Sequence, residues 1–128
     1  IVDGKIKMLD MDSLQARVKE LTVVYVNKLP EYQGVFSAFA DRMMSNPDQS
    51  LIEEILRDAH KLAGSAGSYG FIDLGNAAAN LEAGCQILLD TADISDEGVN
   101  DLSMTLITLI NLIESTINSE KSDAQISP

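Results

Sequence analysis

At 128 residues the chain has the size of one domain, able to bury roughly two-thirds of its unfolded surface. Its content of 45% hydrophobic and 23% charged residues is that of a globular protein, and with 5% aromatics and no Trp the core must come from Leu, Ile, Val, Ala and Met. A formal net charge of -11 argues against nucleic acid and anionic membrane surfaces as partners, and no apolar run approaches the roughly 20 residues that cross a bilayer.

Apolar residues recur with the helical period throughout, and no segment shows the sustained alternation of a strand. Residues 1–10 lack the charged head and apolar middle of a signal peptide and are read as an N-terminal extension. Because the sequence starts at Ile1 rather than Met, it is expected to be a piece of a longer protein. Asp12 and Ser13 offer an N-cap, with Gln15 three residues after Asp12, for a helix through Leu14, Val18, Leu21 and Val24. Pro30 is expected to kink or break it, since proline removes a backbone donor. The pattern resumes at Val35, Phe36, Phe39 and Met43 and ends near "SNPDQS".

A second helix is expected from about Leu51 through His60, and a third from about Asp73 to Leu89, with Leu74, Ala77, Ala78, Leu81, Cys85 and Leu88 on one face. After the polar connection "TADISDEG", Ser95 could cap the last helix, whose apolar stripe is Val99, Leu102, Leu106, Leu109, Ile110, Ile113 and Ile117. The tail 121–128 is polar and expected to fray. The fold class that follows is all-α: an antiparallel four-helix bundle over residues 11–120 with an additional N-terminal helical segment.

The stretch "AHKLAGSAGSYGF" holds the only histidine, His60, followed by Gly64, Gly67 and Gly70. On a helical wheel His60 falls about 40° beyond the apolar arc that ends at Leu56, on the shoulder of its helix. Gly64 stands one turn further along the same shoulder, so the imidazole has open space beside it. No acidic residue lies between Ala59 and Ile72, although the chain carries 20, and Arg57 and Lys61 supply positive charge there. That combination suits an anionic group. Taken singly, a boundary histidine and packing glycines are ordinary features of a helix.

Taken together with "LGNAAANLE" downstream, they resemble the signature of the histidine-containing phosphotransfer (HPt) domain family. His60, Leu62, Gly64, Ser65, Gly70, Leu81 and Glu82 stand in the family's pattern, and the helix order extends the resemblance over most of the chain. The resemblance implies a relay in two-component signalling. His60 would accept a phosphoryl group from a receiver-domain aspartate and pass it to another receiver. It implies further that Glu82 orients the His60 ring, that Lys61, Arg57 and Gly64 form the phosphate and partner environment, and that Ser65 and Gly70 serve packing. The implied partners are response-regulator receiver domains and a hybrid sensor kinase, with the domain monomeric and without kinase activity of its own. No cofactor or metal is implied on this chain, because Mg²⁺ belongs to the receiver. Many relatives carry Lys three residues after the histidine; here that position is Ala63.

Other chemistries fit less well. One His and one Cys do not make a zinc site of the usual ligands, no Gly-Lys-Ser/Thr follows the glycines to form a P-loop, and position 57 is Arg where a di-iron Glu-x-x-His motif needs Glu. The lone Cys85 excludes an internal disulfide and fits a reducing, cytoplasmic compartment. The alternative function is a bundle that docks receivers without relaying phosphate.

Overall fold

Asp48 opens the second helix by accepting a hydrogen bond from the Leu51 amide at 2.8 Å, which satisfies one of the donors that every helix start leaves free. That helix, α2, runs Gln49–Ser68; α1 covers Val2–Ser45, α3 Ile72–Thr91 and α4 Asp96–Ile126. The computed structural model describes the backbone of residues 2–92 and 94–126, and side chains over 12–92 and 94–121. The frayed tail expected at 121–128 and the extension at 1–10 fall mostly on side chains outside that set.

The four helices form an antiparallel bundle in which α2 packs on α3, α3 on α4, and α4 on α1. The core is hydrocarbon: Leu29 and Phe36 of α1, Leu51, Ile52, Ile55 and Leu62 of α2, Leu74 and Leu81 of α3, and Leu106, Leu109 and Ile113 of α4 are all sealed from water. Among the described residues no polar or charged side chain is buried. The last two helices match their sequence patterns closely. Leu74, Ala78, Leu81, Cys85 and Leu88 are buried on α3, and Ser95 accepts from the Gly98 amide at 3.2 Å to cap α4.

The first helix departs from expectation in three ways. Asp12 and Ser13 lie inside α1 rather than at its start. A side-chain cap lowers the free energy of a helix end by about 1 kcal/mol but cannot stop a helix that the preceding residues extend. Pro30 does not break the helix either. It is solvent-exposed while Leu29 and Phe36 are buried, so core packing on both sides outweighs a penalty of about 3 kcal/mol. The third departure is burial. Leu14, Val18, Leu21 and Val24 stand exposed, and the core contribution of α1 starts at Tyr25. Length explains this, since the 44 residues of α1 span about 66 Å against about 30 Å for the 20 of α2.

Two local features align α2 with α3. Gly70 adopts φ +84°, a left-handed conformation that glycine enters without strain, and the Phe71 amide donates back to Ala66 O at 2.9 Å, so the chain reverses in a few residues. Past the turn the helices come so close that a Cβ on Gly75 would lie 3.3 Å from the backbone nitrogen of Gly67. Sequence reading singled out neither Gly75 nor the Asp48 cap.

Candidate functional site

The Gly67–Gly75 contact fixes the pairing of α2 with α3. Seven residues back along α2 stands His60, and seven forward along α3 stands Glu82. Seven residues are about two helical turns, so the pair returns to the same facing edges. There the His60 Nδ1 and the Glu82 Oε2 are 2.8 Å apart. A carboxylate only accepts, so the contact has Nδ1–H donating, and the second ring nitrogen, Nε2, keeps its lone pair.

The His60 side chain is 72% exposed, and Glu82 is half-buried. A Cβ built on Gly64 meets nothing within 4 Å, and the same holds at Gly67. The histidine therefore projects from a helix whose buried face, Leu51, Ile55, Ala59 and Leu62, anchors it to the core, while Gly64, one turn further along the same edge, carries no side chain. Beside it lies a shallow groove of about 400 Å³ lined by Glu53, Leu56, Arg57, His60, Lys61, Gln86 and Leu89. Arg57 and Lys61 thus share a surface with the imidazole. Ala63 is half-buried against the core.

The remaining site candidates act on the framework. The Ser65 hydroxyl donates to Leu62 O at 3.3 Å and lies 2.8 Å from the Tyr25 hydroxyl, which ties α2 to α1. Tyr25 also stacks on Tyr69, with ring centroids 4.5 Å apart. Burial pushes the Tyr25 phenol above its usual range, against the pull of the Ser65 hydrogen bond. Sequence reading did not assign Tyr25 a role. Its partner is forty residues away, and a tyrosine at a helical apolar position carries no mark of a polar tie.

Cys85, one turn from Glu82 on α3, is buried, and desolvation with the nearby carboxylate pushes its thiol up to about 12. It remains a neutral thiol, unsuited to nucleophilic chemistry near neutral pH. Among the described residues, no three His, Cys, Asp or Glu side chains converge as metal ligands, and no helix is long and apolar enough to cross a membrane.

The bundle thus presents one open, carboxylate-held imidazole beside bare backbone, a ring nitrogen that another molecule can reach. The family model for the Hpt domain matches residues 12–116, most of the chain, and the chain belongs to that family. No curated protein and no solved structure matches it significantly. Hpt domains are phosphocarriers rather than kinases; they serve histidine phosphotransfer in phosphorelays and interact with receiver domains of two-component systems.

Proposed function

We propose that His60 is the phospho-acceptor, taking a phosphoryl group on Nε2 from a receiver aspartyl phosphate and returning it to a second receiver. The observation that carries this reading is the Nδ1 contact with Glu82 at 2.8 Å on a ring that is otherwise open to solvent. Holding Nδ1–H directs the lone pair to Nε2, and a neutral imidazole is nucleophilic near pH 7. Phosphoryl transfer demands in-line placement and charge stabilisation more than covalent help, and a stiff helix supplies the placement.

Each other site residue has a part in this reading. Gly64 admits the partner's phosphorylated loop, which any longer side chain would hold off. Arg57 and Lys61 offset charge on the incoming phosphoryl oxygens from the groove side. Ser65 ties α2 to Tyr25 of α1, and Gly70 turns the chain into α3. The receiver brings Mg²⁺, this chain brings no cofactor, and the exchange takes place in the cytoplasm.

The test is incubation with a phosphorylated receiver and Mg²⁺, followed by intact-mass analysis before and after mild acid. The wild-type chain gains one phosphoryl group that acid removes, and His60→Gln gains none. Equal labelling of His60→Gln, or a label that survives acid, overturns the assignment.

A further inference from the structure

Charge balance during the transfer gives Glu82 a second task. When Nε2 attacks the phosphorus of an aspartyl phosphate, the O–P bond breaks, the N–P bond forms, and the carboxylate leaves with the electron pair. The attacking ring began neutral with its hydrogen on Nδ1, so the product is an N-phosphoryl imidazolium: the ring carries +1 beside the phosphoryl dianion. In the return step the ring must leave as neutral imidazole. It can do so only if Nδ1 still holds that hydrogen, because without it the leaving group is imidazolate, a far poorer one.

We infer that Glu82 holds the phosphorylated ring in its Nδ1-protonated form, so that phosphohistidine 60 stays ready to give up its phosphoryl group above neutral pH. The inference rests on the reading that His60 carries the phosphoryl group. Its basis is the 2.8 Å contact between Nδ1 and Oε2 together with the limited exposure of Glu82, whose side chain is 31% exposed. A carboxylate in partial shelter from water stabilises an adjacent cationic N–H more strongly than a neutral acceptor would.

The other charges facing the ring are few. On α2 the groove beside the ring presents Arg57 and Lys61, which oppose a positive ring, and Glu53, which favours it; α3 adds the uncharged Gln86 to the groove and, outside it, Glu82 against Nδ1, and neither α1 nor α4 lines this groove. Among these groups only Glu82 hydrogen-bonds the ring.

The decisive variant is Glu82→Gln, because an amide oxygen can accept the same hydrogen bond without the charge. A purely orienting Glu82 would leave this variant like the wild type. The single histidine lets both proteins be charged with a small phosphoryl donor such as phosphoramidate, with His60→Gln as the blank. Loss of the phosphoryl group is then followed by intact mass across about pH 6 to 10.

Both proteins should lose it quickly in acid. For Glu82→Gln the fall-off of rate with rising pH should begin about one pH unit lower, which makes its loss about tenfold slower than wild type near pH 8. Transfer onto an unphosphorylated receiver should show the same gap near pH 8 and converge near pH 6. Superimposable pH profiles for the two proteins overturn the inference while leaving His60 as the acceptor. Absence of label transferred from a phospho-receiver overturns the acceptor reading itself, whatever the phosphoramidate profiles show.

Discussion

The hydroxyls of Tyr25 and Ser65 meet at 2.8 Å, a part-buried polar tie between α1 and the helix that carries His60. Removing the phenol oxygen leaves Ser65 with its bond to Leu62 O and leaves the aromatic stack in place. Tyr25→Phe should therefore cost about 1 kcal/mol, the net worth of one part-buried hydrogen bond, seen as a lower urea midpoint with an unchanged slope. Phosphoryl acceptance at His60 should persist in this variant.

Glycine positions on these helices divide by what surrounds them. At Gly34 a Cβ meets nothing within 4 Å, so Gly34→Ala should stabilise by up to about 1 kcal/mol through helix propensity alone. At Gly75 the same carbon would press on the Gly67 nitrogen at 3.3 Å and on Ala63 O at 3.4 Å, both backbone atoms. Gly75→Val adds two further carbons there and should cost about 1–3 kcal/mol, measured by chemical denaturation. It should also weaken acceptance at His60, because prising α2 from α3 lengthens the reach of Glu82.

Gly64→Gln separates access from stability. Its side chain projects into open space one turn from the imidazole, so helical content by circular dichroism should stay nearly constant. Phosphoryl transfer from a receiver should fall by at least about tenfold, the effect of a small misplacement of reacting groups. Labelling by a small phosphoryl donor should be largely retained. Wild-type transfer rates from the receiver would remove the access argument.

Cys85 makes stability depend on alkaline pH. Its thiol is pushed up to about 12 in the folded chain, while an unfolded thiol ionises near 8.5. Above that lower value the unfolded state sheds the proton and the folded state keeps it, so stability falls as pH rises. The urea midpoint should decline between about pH 8.5 and 10 in the wild type and more shallowly in Cys85→Ala. Tyr25, also raised, adds a loss of the same sign at still higher pH.

Much of this architecture was legible in the residue pattern. The helices around His60, Leu81 and Leu109 follow from apolar spacing, and Ser95 follows from capping chemistry. The spacing of His60 and Glu82 within the family signature also brought forward two residues that the fold sets in contact. What escaped depends on distant partners. Leu14 and Val18 look like core residues because periodicity records amphipathicity without recording whether a neighbouring helix is long enough to cover it. Pro30 looks like a stop because local propensity carries no information about Leu29 and Phe36 being sealed on either side. Gly75 looks like any helical glycine until α2 is laid beside it.

Apart from the Tyr25 phenol at its edge, the core is hydrocarbon with the Met43 thioether and the Cys85 thiol, and so has few polar partners with which to tell one helix alignment from another. Conservative exchanges among its leucines and isoleucines should thus be forgiven, provided volume is kept. The memory of alignment resides instead in a phenol clasped by a serine at the edge of the core and in the close approach of Gly75 to Gly67. Drift in the oily interior would leave His60 where it is, whereas a side chain added at Gly75 would press α2 away and shift it.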